Sequence, residues 1–166
     1  MMKIGAILQA RTSSTRLPGK VLKELPLGSG ITALGQMIRR LKKSQKIDEI
    51  IVATTEEKSD DAIVQVAEKE NVKYFRGSLT DVLGRYYLAA KENRLDIVVR
   101  ITGDCPCIDP QIVDLVIERH LGEKGDMTSN VVKRSYPDGL DVEVLSFPVS
   151  AALTLIKDSA GPWRTA

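Results

Sequence analysis

Short apolar runs rich in Ile and Val alternate along the chain with longer amphipathic stretches, a pattern that predicts βαβ units around a mainly parallel sheet. Residues 4–8 form the first such run. A polar loop over residues 9–20 follows, in which Pro18-Gly19 interrupts any regular element. Ile31, Leu34, Ile38 and Leu41 then recur at helical spacing, with Arg39, Arg40, Lys42 and Lys43 on the wet face. Ile50-Ile51-Val52-Ala53 predicts a second strand ending at Thr54-Thr55; Ile63, Val66 and Ala67 mark a second helix, and residues 72–75 a shorter third strand. Asp81 can cap a helix carrying Leu83, Tyr86, Tyr87 and Ala90. Residues 97–101 have the character of a central, doubly covered strand, and Asp109-Pro110 opens a helix reaching residue 121. The rhythm then changes. Residues 130–133 and 140–145, joined through Tyr136-Pro137-Asp138-Gly139, predict an antiparallel excursion, and a last helix carries Val149, Ala152, Leu153 and Ile156. The expectation is an α/β fold in one domain spanning residues 1–166.

Composition narrows the function classes. A chain of 166 residues buries enough surface to fold without a metal or disulfide staple. Its 24 Lys+Arg are offset by 22 Asp+Glu and its aromatic content is 4%, so a strongly basic nucleic-acid binder is not indicated. The apolar runs are too short to span a bilayer and the first residues lack a signal-peptide pattern, so a cytoplasmic protein without membrane or nucleic-acid partners is expected. Cys105 and Cys107 lie one residue apart, which suits neither a disulfide framework nor a four-ligand zinc site; they read as packing thiols. His120, the single histidine, falls near a helix C-terminus and reads as a surface partner of the helix dipole, which leaves no Ser–His hydrolase arrangement.

In open parallel sheets ligands collect at the carboxyl ends of strands, which directs attention to the loops after the first and the central strand. The first loop, Gln9-Ala10-Arg11-Thr12-Ser13-Ser14-Thr15-Arg16-Leu17-Pro18-Gly19-Lys20, concentrates three cations and four hydroxyls without an acid. Arg11 and Arg16 can fork onto phosphate oxygens, Lys20 supplies a point charge, and hydroxyls and amides around Ser13 and Ser14 can form an anion nest. The loop is neither a Walker A nor a dinucleotide fingerprint, and its bland reading is a solvated surface loop. After the central strand comes Thr102-Gly103-Asp104-Cys105-Pro106. Asp104 there suits Mg²⁺, as do Asp141 and Glu143, two apart on an expected strand; the bland readings are a turn residue and a wet strand edge.

These stretches, together with Arg76-Gly77-Ser78-Leu79-Thr80-Asp81-Val82-Leu83-Gly84-Arg85-Tyr86-Tyr87 and Tyr136-Pro137-Asp138-Gly139-Leu140-Asp141-Val142-Glu143-Val144, resemble the sugar-activating cytidylyltransferases, the group of the CMP-sialic acid and CMP-Kdo synthetases. The branch called spore coat polysaccharide biosynthesis protein F is the nearest in pattern. The resemblance implies a Rossmann-like nucleotide-diphospho-sugar transferase fold, three layers with a mainly parallel sheet. It further implies transfer of CMP from CTP to an acidic or amino sugar, with release of pyrophosphate, in surface polysaccharide synthesis. Arg11, Arg16 and Lys20 would hold the triphosphate with Ser13 and Ser14 assisting. Asp104, Asp141 and, less directly, Glu143 would hold Mg²⁺, while Ala10, Arg76 and Asp81 would contribute to the cytosine and ribose site. Family members continue past the helix around Ser150 into a segment used for dimer contacts and the sugar pocket. The terminal Gly161-Pro162-Trp163-Arg164-Thr165-Ala166 departs from that pattern, so a shortened or altered C-terminus is expected, with a homodimer where the segment is present. Two other readings compete: a non-catalytic nucleotide-binding remnant, and a nucleotide-sugar-dependent glycosyltransferase, whose Asp-x-Asp motif Asp104-Cys105-Pro106 does not supply.

Overall fold

The computed structural model describes residues 2–14, 17–123, 125–132 and 136–147. Four parallel strands carry the frame: β1 (Ile4–Gln9), β2 (Glu49–Thr55), β3 (Lys73–Gly77) and β4 (Ile97–Thr102). Two more, β5 (Met127–Ser129) and β6 (Glu143–Ser146), close the edge, giving the order β3-β2-β1-β4-β6-β5 with β6 antiparallel to both neighbours. The crossovers run through helices α1 (Ala33–Leu41), α2 (Asp61–Lys69) and α3 (Val82–Glu92), and α4 (Pro110–Glu123) leads to the edge.

Strand parity explains the layering, because side chains two apart share a face of the sheet. Ile4, Ala6 and Leu8 of β1 join Val52, Val99 and Ile101 in a core with Leu34, Met37, Ile38 and Leu41 of α1, Ile63 and Ala67 of α2, and Val113, Val116 and Ile117 of α4. The odd residue Ile7, with Ile51, Ala53 and Val98, packs instead on Tyr86, Ala89 and Ala90 of α3. Among the described residues the result is three layers, as the α/β reading expected. Thr32 caps α1 by accepting from the Gly35 amide at 3.0 Å, and Asp109 accepts from the Gln111 amide at 2.8 Å beside the first-turn Pro110.

Several boundaries differ from expectation. β3 lies at Lys73–Gly77, shifted toward its C-terminus because its pairing with β2 carries on to Thr55↔Gly77. The outer strand of the excursion is Met127–Ser129 rather than 130–133, and β6 starts at Glu143 rather than 140, leaving Asp141 just outside the ladder. His120 is not a surface residue: at 3% exposure its ring sits between the hydroxyls of Thr128 and Ser146, both at 3.1 Å, tying α4 to β5 and β6. Cys105 is buried as expected for packing, while Cys107 is exposed. The last expected helix, with Val149, Ala152, Leu153 and Ile156, lies outside the described residues. No helix among the described residues is long and apolar enough to cross a membrane.

Candidate functional site

β1 is flanked by β2 on one side and by β4 on the other, and successive connections leave it in opposite directions. That reversal is the topological switch point, and the crevice beyond the carboxyl ends of β1 and β4 is where such sheets bind ligands. Gly103 makes the crevice narrow. Its amide donates to the Gln9 carbonyl at 2.7 Å, and a Cβ on it would fall 2.3 Å from that oxygen. The glycine therefore serves the close approach of the two strand ends.

Above this junction lies a cavity of about 210 Å³ lined by Gln9, Ala10, Arg11, Ser14 and Lys20 from one side and Thr102, Gly103 and Asp104 from the other. A larger cavity of about 340 Å³ opens among Ile47, Glu49, Ile50, Asn71, Val72 and Lys73, at the amino ends of β2 and β3 and away from the switch point. The smaller one collects the loop expected to carry chemistry. Lys20, in a single 3-10 turn (Lys20–Leu22) behind the left-handed Gly19, forms an ion pair with Asp104 across the mouth. Burial pushes the Asp104 carboxyl up, but the Lys20 bond and charge, with the Thr102 hydroxyl, outweigh it and hold the group below its usual range. A cation and an ionised carboxylate thus face each other, each partly exposed at 26% and 38%.

The other expected residues divide. Arg11 and Ser13 are exposed, Ser14 half-buried, and Ala10 buried at the floor. Arg16 lies outside the described residues. Asp81 is the cap of α3, accepting from the Gly84 amide at 2.9 Å. Arg76 is engaged in the scaffold and does not line the cavity: its guanidinium donates to the Thr55 carbonyl at 2.9 Å, the Glu57 carbonyl at 2.9 Å and the Asp61 carboxylate at 2.6 Å. Glu143 is bound to Arg100 of β4, whose guanidinium lies 5.5 Å from the Tyr86 ring centroid on the α3 side of the sheet. Asp104, Asp141 and Glu143 do not form a three-ligand cluster, and no such cluster occurs among the described residues. Asp104 and Asp141 both act to raise the Cys105 thiol, after the larger effects of burial, which raises it, and of the Thr102 hydrogen bond, which lowers it. One or two carboxylates beside a phosphate site is the donor set a hard divalent cation takes when phosphates complete its shell.

Two residues the sequence did not single out complete the surroundings. Asp60, 1% exposed, sits at the start of α2 yet sends its side chain to the loop, accepting from the Thr12 amide at 2.8 Å and the Thr12 hydroxyl at 2.6 Å. Arg85, also 1% exposed, donates through Nη1 to the Ser78 carbonyl at 2.7 Å, and its Nε and Nη2 have no partner. Burial lowers the Arg85 pKa, and Arg11 acts on it in the same sense. A buried aspartate before a helix looks like an ordinary cap, and no spacing rule connects residues 12 and 60.

A three-layer sheet of this order, with a cationic loop facing a carboxylate across the switch point, has the architecture of a nucleotidyltransferase. The sequence model described as "Cytidylyltransferase" matches residues 5–147, and the chain belongs to that family. The uncharacterized protein MJ1063 of Methanocaldococcus jannaschii is 45% identical over 148 residues, 88% of this chain and 58% of that protein. The spore coat polysaccharide biosynthesis protein SpsF of Bacillus subtilis is 36% identical over 126 residues, 74% of this chain and 51% of that protein. A cytidylyltransferase structure from Leptospira borgpetersenii superposes with a TM-score of 0.88 at 41% identity, covering 98% of this chain and 66% of that one. The chain thus spans between half and three fifths of the length of these two curated relatives.

Proposed function

We propose that the protein transfers CMP from CTP to a sugar hydroxyl and releases pyrophosphate. The observation that carries this reading is the Lys20–Asp104 pair across the switch-point cavity, which sets a phosphate-binding cation against a carboxylate kept ionised. The hydroxyl oxygen attacks the α-phosphorus, the bond to the bridging oxygen of the β-phosphate breaks, and the hydroxyl proton passes to solvent. No covalent protein intermediate is needed, so positioning and charge stabilisation are the contributions asked of the chain. Lys20, Arg11 and Arg16 hold the triphosphate, Ser13 and Ser14 add hydroxyl donors, and Ala10 forms the floor under the nucleotide. The Asp81-capped turn after β3 borders the base and ribose side, where Arg76 acts through the scaffold it holds together. Asp104 and Asp141 hold the divalent cation, read as Mg²⁺, and Glu143 orients Arg100. When bound, that ion neutralises charge on the phosphates. The similarity to a spore coat polysaccharide biosynthesis protein supports an acceptor sugar destined for surface polysaccharide; we take that sugar to be acidic or amino and the protein to act as a homodimer.

The test is calorimetric titration of CTP, UTP, ATP and GTP with and without Mg²⁺, followed by pyrophosphate release over a panel of acidic and amino sugars. Selective, Mg²⁺-dependent CTP binding with release for at least one sugar is expected. Equal binding of all four nucleotides, or none, would overturn the reading.

A further inference from the structure

Thr12 is the knot of the cationic loop. Its carbonyl accepts from the Ser14 amide at 2.8 Å and from the Gly19 amide at 2.9 Å, so one residue gathers both halves of the loop and hands the chain on to Lys20. Its amide and hydroxyl both donate downward to Asp60 Oδ1. The second carboxylate oxygen accepts from Thr55 and, at 3.3 Å, from Thr54, the two residues that end β2. Asp60 occupies the residue before α2, yet its side chain accepts nothing from that helix. A carboxylate at that place usually satisfies an amide of its own first turn; this one bridges to a segment 48 residues away.

We propose that Asp60 is a positioning residue for the triphosphate: through Thr12 it holds the loop of Ser14, Gly19 and Lys20 in the shape that receives phosphate. The proposal rests on the nucleotide reading above. Its sign separates it from simple electrostatics. A buried negative charge beneath an anion site opposes the anion, so on Coulombic grounds alone removing it strengthens CTP binding. Positioning requires the opposite: with the bridge gone, Thr12 is released, and the donors that must converge on phosphate no longer do.

The experiment measures CTP and CMP affinities in Mg²⁺ for the full chain and for Asp60→Ala, Asp60→Asn, Thr12→Val and Asp48→Asn. Loss of the bridge in Asp60→Ala is expected to weaken CTP on the order of tenfold and to narrow the CTP-to-CMP ratio, because the loss falls on the β- and γ-phosphates. Asp60→Asn keeps an oxygen for Thr12, with the Thr55 hydroxyl able to turn and accept, and restores most of the affinity. Thr12→Val, isosteric and lacking the hydroxyl donor, shifts the ratio in the same direction and serves where Asp60→Ala does not fold. Asp48 accepts from the Ile4 amide at 2.8 Å at the far end of β1, so Asp48→Asn perturbs the sheet without touching the loop.

An unchanged CTP-to-CMP ratio in Thr12→Val and in any folded Asp60→Ala overturns the proposal. So does tighter CTP binding, or an equal loss in Asp48→Asn, which would make the effect one of general stability. Failure of the unaltered protein to bind CTP defeats the nucleotide reading itself, and this proposal with it.

Discussion

Replacing Gly103 with alanine adds one methyl just past the end of β4, against the last residue of β1, and its consequence follows from the distances. The new Cβ would stand 2.3 Å from the Gln9 carbonyl oxygen and 3.0 Å from the Ala10 Cβ. Since real Cβ atoms do not approach other atoms within 3.0 Å, backbone must retreat by 3.0 minus 2.3, or 0.7 Å. The obstacle is main chain inside the sheet and cannot swing aside as a side chain would. Overpacking of this kind costs about 1–3 kcal/mol. The retreat also weakens the 2.7 Å bond from the Gly103 amide to Gln9, adding about 1 kcal/mol. A total of about 2–4 kcal/mol, at a urea dependence of about 2 kcal/mol per M, lowers the unfolding midpoint by about 1–2 M. The same retreat separates Ala10 and its loop from Asp104, so CTP binding weakens in protein that is still folded. Gly122 in α4 is the counter-case: a Cβ there meets nothing within 4 Å, and Gly122→Ala is expected to stabilise by up to about 1 kcal/mol. Urea unfolding followed by circular dichroism decides both. A Gly103→Ala midpoint within error of the original would refute the steric argument.

Asp104→Ala is expected to abolish the Mg²⁺ dependence of CTP binding; calorimetry with and without the ion reads this directly, and an unchanged dependence moves the cation to other ligands. Burial lowers the His120 pKa below its usual 6.5, with Asp126 opposing more weakly. The folded state therefore takes up its proton later than the unfolded chain, so stability is full above 6.5 and falls as pH drops through the lower folded value. Thermal unfolding at a series of pH values from 7 to 5 should show this slope, flattened in His120→Gln. Cys107, exposed and outside the cavity lining, predicts near-normal CTP affinity and stability for Cys107→Ser.

The frame was readable because strands buried on both faces leave short continuous apolar runs while helices leave 3.6-residue periodicity, and each βα unit here carries both marks. The excursion was readable in kind but not in place: 130–133 contains the right apolar residues, yet the ladder forms at Met127–Ser129, where partners on Glu143–Ser146 are reached. Pairing across many residues is not encoded locally. The same limit governs the site. Lys20 and Asp104 were visible because each follows a strand end, whereas Asp60 announces itself only as a cap. Glu143 shows the converse error. Spacing placed it with Asp141, but β6 begins after Asp141, and Glu143 pairs with Arg100 across the β4–β6 ladder.

The Lys20–Asp104 pair carries a consequence with two opposite signs. In the protein without nucleotide the two charges satisfy one another. On the proposed reading, a triphosphate draws Lys20 away and leaves the carboxylate free for a cation; a cation on Asp104 likewise frees Lys20 for phosphate. Each ligand therefore removes the competitor of the other, and by linkage the coupling is mutual. Lys20→Ala cuts this link. It deletes a phosphate contact, so CTP affinity falls, but it also releases Asp104 from its partner, so affinity for a divalent cation alone rises. The pair is partly exposed and such pairs are worth about 0.2–1 kcal/mol, so the gain is about 1.4- to fivefold. Mn²⁺ titrated without nucleotide, followed by its electron paramagnetic resonance signal, isolates that half of the prediction from the binding of metal by CTP in solution. A Lys20→Ala variant with both affinities lowered would show that Lys20 supports the cation site, and the reciprocal arrangement would have to be abandoned.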